Sequence, residues 1–149
     1  MTTELGAHVM LLNDLHFQGS ARSGHTIDLD APASEGGGAG MTPMELLLIS
    51  LASCSAMDVA AILRKKRQPV EQLEVRVRSR RQIEHPTVFT AIHLEYVVHG
   101  DGVDPQAVTR AIELSRDRYC PIWAMLEPGV RITAASRVVC DAPVLVPAD

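Results

Sequence analysis

The spacing of apolar residues near the start of the chain predicts short β-strands. Residues 8–12, 15–18 and 25–29 are apolar-rich or alternate between apolar and polar side chains. They are separated by Asn13-Asp14 and by Arg22-Ser23-Gly24, residue types that favour turns. We expect a meander of two or three strands, followed by a flexible loop with four glycines at 34–40.

A long apolar segment then predicts a helix with a clear start. Thr42, Pro43 and Glu45 stand at the N-cap, first and third helical positions, and the Thr-x-x-Glu spacing is that of a capping box. Residues 46–63 are almost wholly apolar, and the basic run 64–67 suits the end of a helix. We expect one long helix that is buried on most sides inside a soluble protein.

The second half of the chain alternates between strand and helix patterns. Strict alternation predicts a half-buried strand at 73–80, and a second strand is expected at 90–99. Asp104 is a predicted N-cap for a helix whose apolar positions run through 108, 111, 112 and 114, with Ser115 continuing the period. Tyr119-Cys120-Pro121 interrupts that helix, and a short helix at 122–126 and a strand at 130–139 follow. The order predicts an α+β fold with antiparallel sheets, in one domain over residues 1–149.

Composition argues against a nucleic-acid-binding protein and against a membrane protein. The net charge is −4 and only 3% of the residues are aromatic, which argues against a nucleic-acid-binding protein with base-stacking platforms. Asp58 and several serines interrupt the apolar helix, which argues against a membrane span. The first fifteen residues lack the basic segment of a signal peptide. We therefore expect a cytoplasmic protein with no membrane or nucleic-acid partner.

In that compartment, the three cysteines are expected to be thiols. Cys54, Cys120 and Cys140 form no CxxC pair, and no Cys or His cluster has zinc-ligand spacing. Each cysteine could be a small core residue. Cys120 also has a basic neighbour, Arg118, which could increase its reactivity. Cys140, near the end of the chain, is expected to be structural or incidental.

The helix geometry constrains which groups can act together. Glu45 and Cys54 are nine residues apart, about 13.5 Å along a helix and on nearly opposite sides of it. If both serve one reacting centre, the glutamate has to come from a second chain. Asp58 shares the face of Cys54 and opposes the charge of a thiolate unless a cation offsets it. Arg22, in its Gly/Ser turn, is the candidate cation.

Three segments together resemble the OsmC/Ohr family of osmotically inducible and organic-hydroperoxide-resistance proteins. They are residues 38–48 (GAGMTPMELLL), 51–59 (LASCSAMDV) and 114–121 (LSRDRYCP). The resemblance covers residues 7–139. Because Cys54 is followed by Ser-Ala-Met-Asp-Val and not by an aromatic residue, the chain is more similar to the broader OsmC-like branch than to the Ohr branch.

The resemblance implies a fold and a mechanism. The fold is an intertwined homodimer in which sheets wrap around two long central helices, with active sites shared between subunits. Cys54 would be the peroxidatic thiolate and Cys120 the resolving thiol, and Glu45 and Arg22 would hold the thiolate. A dithiol of lipoyl type would reduce the resulting disulfide, and neither metal nor cofactor is implied.

The predicted function is therefore that of a thiol-dependent peroxidase that reduces organic hydroperoxides in oxidative-stress defence. The alternative is a stress-associated dimeric protein that binds ligands or senses redox state with little turnover. Asp58 favours the alternative, and the pair of cysteines favours the enzyme.

Overall fold

The computed structural model describes residues 1–140 as two compact units, 1–49 and 50–140, whose boundary falls inside the long helix. The described chain contains six β-strands, three α-helices and one π-helical turn. They are β1 (Ala7–Asn13), β2 (His16–Ala21), β3 (Thr26–Leu29), α1 (Pro43–Lys65), β4 (Gln72–Arg81), β5 (Phe89–His99), α2 (Pro105–Leu114), the π turn (Ser115–Tyr119), α3 (Pro121–Leu126) and β6 (Arg131–Val139). The predicted α+β class and the predicted order of elements are confirmed.

In the N-terminal unit, β1, β2 and β3 form an antiparallel sheet in chain order. Asp14 takes a positive φ of 44° in the β1–β2 turn, a conformation that aspartate tolerates better than most residues. The glycine-rich loop returns beside β3, where a side chain at Gly40 would collide with the Asp28 carbonyl oxygen. The buried carboxylate of Asp30 accepts the backbone N–H groups of Ala31 and Ala39 and so organises this loop.

In the C-terminal unit, β5 lies at the centre of a second three-stranded sheet, between β4 and β6. The β4–β5 pair is antiparallel, as predicted, but β6 pairs with β5 in parallel. The expectation of purely antiparallel sheets is therefore wrong at this pair. The reason is the connection: α2, the π turn and α3 together form a helical crossover, and such a crossover returns the chain in the same direction.

The core of this unit is aliphatic, as the small number of aromatic residues implied. The second half of β5 is buried, as are one stripe of α1 and the inner face of α2. The buried residues include Leu51, Val59, Leu63, Ile92, Leu94, Tyr96, Val98, Val108, Ala111 and Trp123.

Within the described chain, α1 is covered along one stripe and not on most sides as predicted. Its buried residues are Leu51, Ala52, Ser55, Val59 and Leu63, whereas Met57 is 71% exposed. By length and composition, α1 is the one helix among the described residues that could cross a membrane. This is weak evidence, because an apolar helix of a soluble protein passes the same test.

Candidate functional site

Two cysteines from distant parts of the sequence meet in the C-terminal unit. Cys54 lies in the middle of α1 and is partly exposed, whereas Cys120 is only 2% exposed. Their side chains lie close enough to interact, and the Cys54 side chain raises the pKa of the Cys120 thiol. The structure therefore brings together the two cysteines to which the family resemblance assigned a joint reaction.

The environment of Cys120 keeps this residue in its thiol form. The pKa of Cys120 is raised to about 11; burial is the largest cause, and the neighbouring Cys54 side chain acts in the same direction. The backbone N–H groups of Trp123 and Ile122 act in the opposite direction.

The local sequence explains the position of Cys120. Pro121 begins α3, where its missing N–H is not needed, and a proline disfavours the helical conformation in the residue before it. Cys120 accordingly takes an extended backbone with ψ of 103° and caps α3, its Sγ accepting the Trp123 N–H at 3.4 Å. Before it, the π turn closes with a 2.8 Å bond from the Cys120 N–H to the Ser115 carbonyl oxygen.

Three buried hydroxyl groups adjoin the cysteine pair, and the sequence did not single them out as functional. Ser55, which follows Cys54, is 2.6 Å from the Tyr96 hydroxyl and 2.9 Å from the Oγ of Ser115. Ser115 in turn donates to the carboxylate of Asp58 over 2.9 Å. The available signal was a serine at an apolar position of each helix, since Ser55 lies in the buried stripe of α1 and Ser115 continues that of α2.

Glu45 forms the predicted capping box at the start of α1. Its Oε2 accepts the Thr42 N–H at 2.7 Å and the Thr42 hydroxyl at 3.0 Å, while the Glu45 N–H is 3.3 Å from that hydroxyl. The bond from the Thr42 backbone, followed by the one from its side chain, lowers the pKa of Glu45. The carboxylate is exposed and remains open to a further partner.

Arg22 is exposed in the turn that joins β2 and β3, and it forms no ion pair with any described residue. Arg22 and Glu45 belong to the N-terminal unit, and the two cysteines belong to the C-terminal unit. The roles of Glu45 and Arg22 stay predictions.

Cys140 is exposed just beyond β6. Across residues 1–140, no three His, Cys, Asp or Glu side chains gather in a way that could hold a metal ion. The two sulfur atoms of the cysteine pair are capable of nucleophilic attack, oxidation and disulfide formation.

Comparison with known proteins gives a consistent result. The family model described as OsmC-like protein matches residues 36–135. Protein YhfA of Escherichia coli is 41% identical over 133 residues, which cover 89% of this chain and 97% of YhfA. Among solved structures, an OsmC-like protein from Mycoplasma pneumoniae has a TM-score of 0.79 at 19% identity, covering 93% of this chain and 99% of that one. The organic hydroperoxide resistance protein OhrB of Bacillus subtilis has a TM-score of 0.61 at 15% identity, covering 91% and 98%.

Proposed function

The chain belongs to the OsmC-like protein family, and we propose that it is a thiol-dependent peroxidase that reduces organic hydroperoxides. The observation that carries the proposal is the close approach and interaction of the Cys54 and Cys120 side chains. A protein named for organic hydroperoxide resistance has the same fold, which supports the choice of substrate class.

The different burial of the two thiols supports the proposed division of roles. Cys54, the more exposed, attacks the terminal oxygen of the hydroperoxide as a thiolate. The O–O bond breaks, the alkoxide takes up a proton and leaves as an alcohol, and Cys54 becomes a sulfenic acid. Cys120 then forms an S–S bond with Cys54 while the S–O bond breaks, and the proton of Cys120 leaves with the hydroxyl group as water. A dithiol, of lipoyl type as the family resemblance implies, reduces the disulfide by exchange.

A second copy of the chain completes the site in this proposal. Met57 and Ile49 leave apolar surface of α1 exposed, and a homodimer would cover it. Glu45 cannot act at Cys54 of its own helix, so it acts at Cys54 of the other subunit and orients an arginine, proposed to be Arg22, that holds the thiolate. The enzyme is proposed to act in the cytoplasm.

Subunit mixing tests both the chemistry and the shared site. In peroxide consumption with dithiothreitol, the Cys54→Ser homodimer should be inactive and the Glu45→Gln homodimer should retain about a tenth of the wild-type activity. In a mixed dimer, however, one site combines Cys54 and Glu45 that are both unaltered. Exchange at a one-to-one ratio should therefore restore about a quarter of the wild-type activity, because half of the dimers are mixed and each has one intact site.

The matched control mixes Cys54→Ser with Cys120→Ser. These two cysteines meet within one chain, so no mixed dimer has an intact pair and activity should not return. Equal recovery in both mixtures, or wild-type activity in the Cys54→Ser homodimer, would contradict the proposal.

One observation favours a redox-sensing or ligand-binding protein with little turnover. The carboxylate of Asp58 lies one helical turn from Cys54 and opposes the negative charge of its thiolate. A sensor would form the disulfide with one equivalent of hydroperoxide but would not consume excess peroxide with excess dithiol. Continuous consumption under these conditions identifies the enzyme.

A further inference from the structure

A chain of hydrogen bonds runs through the interior of the C-terminal unit beside the cysteine pair. It leads from the hydroxyl of Tyr96 to Ser55, from Ser55 to Ser115, and from Ser115 to the carboxylate of Asp58, with distances of 2.6, 2.9 and 2.9 Å. Tyr96, Ser55 and Ser115 are fully buried. These groups therefore depend on one another, and not on solvent, for their hydrogen bonds.

The chemistry of the four groups fixes the direction of the chain. A carboxylate accepts hydrogen bonds but does not donate them, so Ser115 donates its single hydroxyl proton to Asp58. Ser55 then has to donate to Ser115, and Tyr96 has to donate to Ser55. Burial raises the pKa of Tyr96 to about 12, so its phenol keeps the proton that this order requires.

Ser115 connects this series of hydrogen bonds to the backbone of Cys120. Its side chain is bonded to Ser55 and Asp58, which follow Cys54 by one and four positions on α1. Its carbonyl oxygen accepts the Cys120 N–H at 2.8 Å and closes the π turn. A single residue thus links the turn that carries one sulfur to the stretch of helix that carries the other.

Core packing alone does not explain these hydroxyl groups. Alanine would fill a buried helical position with better helix propensity and without a polar group to satisfy. Replacing both partners of a buried hydrogen bond by apolar groups is often close to neutral for stability. A directed chain of three such bonds is better explained by what it orients.

We propose that Ser115 is a positioning residue for the resolving cysteine, which it holds against Cys54 through the hydroxyl chain that ends at Asp58. The inference rests on the proposed function. Disulfide formation requires the sulfur of Cys120 to approach Cys54 opposite the S–O bond that breaks, and a displacement of about 1 Å can cost about 100-fold in the rate of such a step. The first step, attack of Cys54 on the hydroperoxide, involves no such approach.

The test measures the proximity of the two thiols without peroxide. Wild type and Ser115→Ala are equilibrated with reduced and oxidised dithiothreitol, and the fraction of Cys54–Cys120 disulfide is determined by mass spectrometry. We expect Ser115→Ala to lower the effective concentration of the Cys120 thiol at Cys54 about 10-fold. Ser53→Ala is the matched control: it also adjoins Cys54, but its hydroxyl bonds only to the Ser50 carbonyl oxygen of the same helix, so its equilibrium should equal that of wild type.

Rapid-quench kinetics with one equivalent of tert-butyl hydroperoxide separate the two steps. Ser115→Ala should form the sulfenic acid of Cys54 within about 2-fold of the wild-type rate but convert it to the disulfide about 10-fold more slowly. Unchanged proximity and an unchanged disulfide step in a folded Ser115→Ala protein would overturn the proposal. Equal slowing of both steps would also overturn it, because that pattern indicates general disruption.

If Ser115→Ala does not fold, Asp58→Asn tests the same proposal. Asparagine retains an acceptor oxygen but loses the charge that strengthens the bond with Ser115, so we expect about a 3-fold lower effective concentration. No change there would contradict the positioning role. If wild type proves inert to hydroperoxide, the peroxidase proposal fails, whereas the dithiothreitol equilibrium still decides the role of Ser115.

Discussion

The two compact units of the chain differ in where they place their apolar residues. Among residues 1–140, every buried hydrophobic side chain belongs to the C-terminal unit, from Leu51 to Trp123. In the N-terminal unit, β1 is exposed along all seven residues, and Val9, Met10, Leu11 and Leu12 are between 45% and 59% exposed.

This difference indicates that the units contribute differently to stability and function. Scattered exposed apolar residues are common, but a contiguous apolar strand usually marks an interaction surface. The C-terminal unit has a core and holds both sulfur atoms that are proposed to react. The N-terminal unit has Glu45, Arg22 and the apolar strand β1, which we expect a second subunit to cover.

The largest effect is expected where the core is tightest. Leu94 is completely buried on β5, so Leu94→Ala should lower the free energy of unfolding by about 2–5 kcal/mol, through lost burial and the cavity left behind. Urea denaturation followed by circular dichroism measures this change. Ile83→Ala, at a side chain that is 95% exposed, is the control and should stay within about 0.5 kcal/mol of wild type. A similar loss in both variants would remove the contrast between core and surface.

A smaller effect is expected from the apolar strand, and it should appear in association. Leu11→Ala removes apolar surface that folding of one chain leaves half exposed. Covering that surface is worth about 1 kcal/mol in each of two copies, so the dimer should dissociate about 30-fold more readily. Sedimentation over a range of concentrations measures this shift. A monomeric wild type at micromolar concentration would exclude the shared site.

The smallest effect separates capping from catalysis at Glu45. Glutamine also serves in a capping box, so Glu45→Gln should change the free energy of unfolding by well under about 1 kcal/mol. It cannot supply the charge that orients an arginine, so peroxide turnover should fall about 10-fold, equivalent to about 1.4 kcal/mol at the barrier. Equal turnover of both proteins at saturating dithiol would leave Glu45 with a capping role alone.

The pH dependence provides a control for the capping role. Because the bonds from Thr42 lower the pKa of Glu45 from its ordinary 4.5, the ionised form adds stability above that value. The contribution is lost as the pH falls through the lower pKa of the folded state. Any difference in stability between wild type and Glu45→Gln should therefore be present at pH 7 and vanish in acid.

Elements that depend on neighbouring residues could be predicted from the sequence. Thr42, Pro43 and Glu45 specify the start of α1 within four positions, and Asp104 caps α2 by accepting the Gln106 N–H. These signals are local, so tertiary packing has little opportunity to override them. The strict alternation of β4 is informative for the same reason.

Features that depend on distant contacts could not be predicted in this way. Parallel pairing of β6 follows from the length and course of the crossover, and the π turn follows from where Ser115 and Cys120 have to lie. The meeting of Cys54 and Cys120, 66 positions apart, came from the family resemblance and not from spacing. Ser55 and Ser115 differ from ordinary core residues only by a hydroxyl group, whose partners become visible in three dimensions.

The cap of α3 also gives the protein an internal optical probe. Its first hydrogen bond joins the sulfur of Cys120 to the backbone of Trp123, which is the only tryptophan of the chain and is buried. All indole fluorescence therefore originates three residues from a sulfur atom proposed to cycle between thiol and disulfide. The emission of the unlabelled protein reports on the helix end that this sulfur caps.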